Sequence, residues 1–312
     1  MSRLYRKNRD LSERLERVEL RVDQPDDGER FDRFLAKRLT WRSRAGVQQL
    51  IEEGRALLNG AKRKPATKLK AGDAVVVEVV REGSGEPAAD PEITVLFEDD
   101  HLMALDKPAG AVVHPVGAHQ EGTLLQALHR RTPEAAPLPK LIHRIDQFTS
   151  GVLLVAKTDA VRAAFSDMLE RGSVHKTYDA LVLGRVAFDH REVDAPIGPV
   201  GDSRILMRVD PAAGKPARSA FTVEERFRFA TWTSVSIATG RTHQIRVHAA
   251  HFGHPLLGDH LYGDGLAPEG FERFALHARR VSFDHPATGA HREIEAPLPE
   301  PFRQAVAVLR GG

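Results

Sequence analysis

Two short polar segments carry the residues best suited to covalent or acid–base chemistry. The first is His143-Arg144-Ile145-Asp146-Gln147-Phe148-Thr149-Ser150-Gly151, which sets one carboxylate beside an arginine just before the apolar run Val152-Leu153-Leu154-Val155-Ala156. A carboxylate placed this way is a candidate nucleophile or general base, and it needs a cation to hold it. The second is Gly240-Arg241-Thr242-His243-Gln244-Ile245-Arg246-Val247-His248, which supplies candidate cations. Written as a helix, it puts Ile245, Ala249 and Phe252 on one apolar face and Arg246 on the adjacent face with His243 and Ala250. By spacing alone Arg246 is then an exposed helix arginine, and with Arg241 it is one of the candidate cations of this segment. A buried aspartate tends to protonate unless a cation compensates. A permanently charged guanidinium with a fork of donors answers that need. Tyr178, in Lys176-Thr177-Tyr178-Asp179, reads by itself as a strand aromatic of the core.

These residues require a scaffold, and the hydrophobic pattern supplies one. Short β-like runs at 93–97, 102–105, 152–156, 178–183, 221–223 and 232–237 alternate with helical patterns at 124–131, 159–171 and 242–252. Strand runs broken by occasional helices predict an α+β domain on a largely antiparallel sheet. Ahead of it, Val18, Leu20 and Val22 alternate like a short strand. Phe31, Phe34, Leu35 and Leu39 fall at helical spacing. A second helix is predicted from a Ser43 cap to Gly54, followed by an Asn59-Gly60 turn and a strand over 74–80. The expected organisation is a tail and short strand over 1–27, a small domain over 28–80, a Gly/Pro/acid-rich linker over 81–92 and a larger domain over 93–312.

Charge distribution says more about partners than net charge does. Between Arg30 and Lys70 twelve Lys and Arg face three acids, a net +9, so the rest of a chain of net +2 carries −7. Such clustering is the footprint of a nucleic-acid-binding module, a solvated basic face being the plainer alternative. Lys37, Arg42 and Arg44 are the candidate phosphate contacts there, and phosphate contacts position without reading sequence. The absence of cysteine excludes disulfides, thiol nucleophiles and thiolate zinc sites. His243, His248, His251, His254 and His260 crowd one region, but without a His-Glu-x-x-His helix or carboxylates at ligand spacing, so no metal is expected. No Gly-rich phosphate loop points to a nucleotide cofactor, and none is expected. No apolar run is long enough to span a membrane. The polar segment before Val18 does not resemble a signal peptide, so a cytoplasmic, monomeric protein is the expectation.

The two helices, the Asn-Gly turn and the closing strand, with basic residues throughout, resemble the S4-like RNA-binding domain. The Asp146 and Arg246 segments resemble the RluA family of RNA pseudouridine synthases. So do Asp106-Lys107-Pro108-Ala109-Gly110 with Val113-His114-Pro115, Gly253 to Asp259, and Leu276-His277-Ala278. Ile145 and Phe148 stand where that family often carries leucine and a polar residue. The resemblance implies isomerisation of uridine to pseudouridine without cofactor. Asp146 would be the nucleophile, Arg246 its ion-pair partner and Tyr178 the residue packed on the base. Arg144 would fill the gap left by a flipped nucleotide, or else clamp a phosphate. Lys107 and Arg241 are further expected RNA contacts, although the Lys107 segment more readily shapes the site floor, and the segments around Asp259 and His277 are expected to serve packing. The pairing of these two domains implies large-subunit ribosomal RNA as substrate, with transfer RNA as the alternative. A non-catalytic RNA-binding assembly factor is the rival reading.

Overall fold

The computed structural model describes residues 17–39, 44–78, 90–115, 122–201, 203, 205–268, 271 and 273–311. They fall into two compact units, one within Met1–Pro91 and His114–Leu138, the other within Glu92–Val113 and Pro139–Gly312.

The smaller unit contains β1 (Arg17–Arg21), α1 (Phe31–Arg38), α2 (Arg44–Glu52), β2 (Ala56–Leu58), β3 (Ala61–Lys62) and β4 (Ala74–Glu78). Its antiparallel sheet runs β1-β4-β2-β3. Alternation on the strands turns Val18, Leu20, Val75 and Val77 inward against Phe31, Phe34 and Leu35 of α1 and Val47, Leu50 and Ile51 of α2. Asn59 and Gly60 both take positive φ, as a tight two-residue hairpin demands. Not all the basic residues face outward to a partner. Arg30 forks onto the buried Asp32 at 2.9 and 3.0 Å, and Arg38 pairs with Asp26 while lying over the Phe34 ring. Arg33, Lys37, Arg63, Lys64, Lys68 and Lys70 are exposed, with Lys37 in a surface ion pair to Glu29. Ser43 and Arg42 lie outside the described residues, and of Arg44 only its place as first residue of α2 is described.

The strand foreseen in the leading segment is an edge strand of this sheet, in register with β4 (Val18 opposite Val77). The segment His114–Leu138, which carries α3 (Leu124–Arg131), falls within the same compact unit. The helix is set by a reciprocal capping box between Thr123 and Gln126 and fastened by Arg130 on Asp90. Periodicity reveals such a helix but not the surface its apolar stripe will cover.

The larger unit is built on β5 (Thr94–Glu98), β6 (Leu102–Lys107), β7 (Lys140–Leu141), β8 (Ser150–Ala156), β9 (His175–Leu183), β10 (His190–Asp194), β13 (Arg218–Arg226), β14 (Ala230–Ile237), β15 (Leu276–Asp284) and β16 (His291–Glu295). Among the described residues these form one sheet of order β10-β13-β14-β9-β15-β8-β6-β5, with β16 added to β15 and β7 to β8. A separate ribbon pairs β11 (Ile197–Pro199) with β12 (Met207–Val209). The sheet is antiparallel except for β8 beside β15. The expected α+β class with a largely antiparallel sheet therefore holds. Phe165 and Val161 of α4 (Asp159–Glu170) pack on β6, β8 and β15, and Phe302, Ala305 and Val306 of α6 (Glu300–Gly311) join Leu181 of β9 in a second cluster. The parallel junction is tight. Gly151 has φ +104°, and a Cβ there would sit 2.2 Å from the carbonyl oxygen of Ala278. Only glycine lets the chain leave the Asp146 loop and enter β8 at that distance.

Candidate active site

The Asp146 loop is pinned on both sides before its carboxylate does anything. At its start, the His143 Nε2 accepts the Leu154 amide at 3.2 Å. Burial, with the nearby Lys176 charge, pushes the His143 pKa down to about 3, so the ring stays a neutral acceptor. In the middle, Lys107 at the end of β6 is wholly buried. It donates to Pro108 O at 2.9 Å, Ala111 O at 3.0 Å and Gln147 O at 2.7 Å. Gln147 in turn exchanges bonds with Gly110. At the end, the Ser150 hydroxyl meets His277 Nδ1 at 2.9 Å across the parallel junction. Burial pushes the His277 pKa down to about 4, and its Nε2 faces the Ala296 carbonyl, which leaves Nδ1 to accept from Ser150.

Arg246 lies in α5 (Gln244–His251), a helix whose residues 244–249 are all buried. The exposed-arginine alternative therefore fails. Its Nε and Nη2 fork onto the two oxygens of Asp259 at 2.7 and 2.8 Å. This leaves Nη1 pointing at Asp146 Oδ2, 3.6 Å away. The Phe274 ring lies under the guanidinium at 4.1 Å and the Tyr262 ring at 5.0 Å. Burial alone would lower the Arg246 pKa, but the Asp259 fork and the charges of Asp259 and Asp146 raise it. Burial would raise that of Asp259, but the Arg246 fork and the amides of Leu261 and Tyr262 lower it. Both groups stay charged. Gly258 places Asp259: its φ is +75°, and a Cβ would lie 2.1 Å from Arg273 O.

A second chain of contacts reaches Asp146 through His243, which opens α5 with φ +55°. Tyr262 OH accepts the Met207 amide and lies 2.8 Å from His243 Nδ1, and His243 Nε2 faces Asp146 Oδ2 at 4.0 Å. With its pKa lowered, chiefly by burial, His243 is neutral, and its Nδ1 accepts a hydrogen bond from the Tyr262 hydroxyl. Its Nε2–H is thus turned to the carboxylate. Tyr178 on β9 is buried. Burial first, and the Asp146 charge second, raise its pKa, so it remains a phenol. Asp146 itself is about a quarter exposed, the most open of these groups.

The structure thus places Asp146, Arg246 and Tyr178 near one another. Arg144 is exposed and makes no ion pair with a described residue. Arg241 is exposed, its Nε on Pro216 O, and is not the partner of Asp146. Lys107, in the segment expected to shape the site floor, is buried and spends its three donors on the carbonyls of Pro108, Ala111 and Gln147. Asp259, assigned to packing from sequence, is the residue that aims Arg246. Its signal was present as a lone aspartate after a glycine, but nothing in the chain marks its partner thirteen residues back. Two more histidines of this region are held by bonds of their own: His248 bonds Ser219 and Ala195 O, and His254 bonds Leu183 O.

Comparison with known proteins agrees with this geometry. A family model for RNA pseudouridylate synthase matches residues 101–251, and one for the S4 domain matches residues 29–75. The ribosomal large subunit pseudouridine synthase D of Pseudomonas aeruginosa is 41% identical over 298 residues, covering 91% of this chain and 92% of the relative. This chain belongs to the RNA pseudouridylate synthase family. The protein of the same name from Xanthomonas campestris is 40% identical, over 91% of this chain and 89% of its own length. The fold is shared with human RNA pseudouridylate synthase domain containing 4, with a TM-score of 0.58 over 70% of this chain and 93% of that one at 23% identity. The synthase is therefore an isomerase acting on RNA, and the non-catalytic reading falls.

Proposed function

We propose that this synthase isomerises uridine in large-subunit ribosomal RNA, with Asp146 as the nucleophile. The observation that carries the mechanism is the Asp146 carboxylate 3.6 Å from Arg246 Nη1, with the rest of that guanidinium locked on Asp259. The arginine aims Asp146 without consuming it in a close hydrogen bond. Asp146 opens the reaction at the target nucleoside, and the bond between uracil N1 and ribose C1′ breaks. The uracil turns within the site, a bond forms between its C5 and C1′, and the C5 proton is lost while N1 gains one. Atoms and electrons balance without a cofactor. Tyr178, a neutral phenol, holds the base by contact.

A uridine inside a helix hides its glycosidic bond, so access requires flipping, at a cost of a few kcal/mol. The exposed Arg144, two residues before the nucleophile, supports a role in filling the gap. Residues 28–80 serve as the RNA-binding domain, with Lys37, Arg42 and Arg44 on phosphates, residues 81–92 as a linker, and Arg241 as a further contact. The exposed basic residues of the small unit support this assignment. Ribosomal RNA is favoured by the names of the relatives, and a cytoplasmic location follows from that substrate.

The test is pseudouridine mapping by chemical labelling and primer extension, comparing RNA from cells with the intact protein, without it, and with Asp146→Ala. A ribosomal position modified only with the intact protein is the expected result. A transfer RNA position instead would move the substrate. Unchanged maps would overturn the assignment.

A further inference from the structure

Phe148 lies two residues beyond the nucleophile, where the family often carries a polar residue, and 39% of it is exposed. The ring is not loose. Its edge meets Phe274 with centroids 6.2 Å apart at 83°, and Phe274 in turn lies under Arg246. The Arg273 guanidinium stands 5.4 Å from the Phe148 centroid. It rests over Gly110, whose absent Cβ would come within 3.1 Å of Arg273 Nη1. Gly110 belongs to the loop that Lys107 and Gln147 staple beneath the Asp146 loop. Arg273 makes no ion pair with a described residue, and it is exposed. An open aromatic ring and an uncommitted guanidinium are thus held side by side, on rigid supports, at the rim of the site.

Aromatic rings and guanidinium planes are the surfaces on which proteins receive unstacked bases. Withdrawal of the target uridine from its stack strips a neighbouring base of its partner. We propose that Phe148 and Arg273 form a stacking platform for an RNA base flanking the target uridine, with Arg273 also attracting the adjoining phosphate. The ring would restore the lost stacking and hold the strand open while Asp146 acts. This role rests on the assigned pseudouridine synthase activity. It makes Phe148 a positioning residue, not a catalytic one.

The test couples the ring to a base. An RNA fragment carrying the modified uridine is prepared with an abasic nucleotide at each flanking position in turn. KM and kcat are measured for the wild-type chain, Phe148→Leu and Phe148→Tyr. Leucine keeps an apolar contact for Phe274 but has no face for a base, whereas tyrosine keeps the face. In the wild type, one flanking abasic position should raise KM by about tenfold. Phe148→Leu should raise KM on the intact fragment by about the same factor and be indifferent to that abasic position. Phe148→Tyr should behave as wild type. Equal abasic penalties in wild type and Phe148→Leu at every position would overturn the platform. So would a Phe148→Leu defect confined to kcat. Wild-type turnover of the intact fragment reports the substrate assignment separately.

Discussion

Asp259→Asn isolates the one interaction that aims the arginine without touching the nucleophile. In the wild type, Asp259 Oδ2 accepts from Arg246 Nε, while Oδ1 accepts from Nη2 and from the amides of Leu261 and Tyr262. An asparagine with its oxygen in the Oδ1 place keeps three of those bonds. It turns an NH2 group toward Nε–H, donor against donor. Asp259 is fully buried and the Arg246 side chain only 7% exposed, so little solvent screens the loss. Breaking such a buried pair costs about 3–5 kcal/mol. The lower figure applies because the amide oxygen survives, which lowers Tm by roughly 6–12 °C for a unit of this size. The variant guanidinium has Asp146 as its remaining carboxylate partner and should close the 3.6 Å gap onto it. A misplacement of about 1 Å costs about a hundredfold in rate, and the loss should fall on kcat. Single-turnover release of tritium from RNA labelled at uridine C5 measures the rate, and scanning calorimetry measures Tm. Linkage adds a pH signature. The folded pKa of Asp259 is depressed, so its stabilisation is present above the unfolded value of about 3.9 and is lost as pH falls through the folded one. The gap between wild type and variant should therefore shrink below about pH 4. A variant with wild-type kcat and Tm would refute the aiming role.

Lys107→Met should take a donor from three carbonyls, of which Pro108 O and Gln147 O keep a backbone amide and Ala111 O loses its partner at about 1–3 kcal/mol, and should release the Asp146 loop, with loss of both Tm and kcat. Burial holds the Lys107 pKa at about 7, so between there and its unfolded value of about 10.4 the unfolded chain binds more protons and wild-type stability rises with pH. Urea titrations at several pH values should show that rise missing in the variant. Gly151→Ala should lower the urea midpoint by an amount equivalent to more than about 3 kcal/mol, because a methyl 2.2 Å from Ala278 O must part β8 from β15. Tyr178 should leave no alkaline limb near pH 10 in the kcat profile, since its pKa is raised by burial. A limb there that vanishes in Tyr178→Phe would show an accessible phenol instead.

The sequence by itself carried a candidate carboxylate site and the class of the fold, and the reaction entered through the resemblance of its motifs. Asp146, Arg246 and Tyr178 are legible because each sits in a contiguous motif. The main helices and many strands are legible because burial of one face imposes periods of 3.6 and 2 on the residues. Several elements were not. The strand β15 holds the parallel junction, yet its Leu276-His277-Ala278-Arg279-Arg280 stretch breaks the alternation, because both faces are covered and polar groups such as His277 find partners inside. Lys107 falls in a segment expected to shape the site floor, but only the carbonyls converging on it from two loops show that it does so as a buried staple. Asp259 was expected to serve packing, and only the path of the chain back over α5 sets it against Arg246. Even the choice between Arg241 and Arg246 as partner of Asp146 was open in one dimension. Tertiary structure decided it by burying one guanidinium on a second carboxylate and leaving the other at the surface. A motif states which groups are present. Which of them are desolvated, and therefore strongly coupled, depends on contacts between segments far apart in the chain, and no local pattern encodes those.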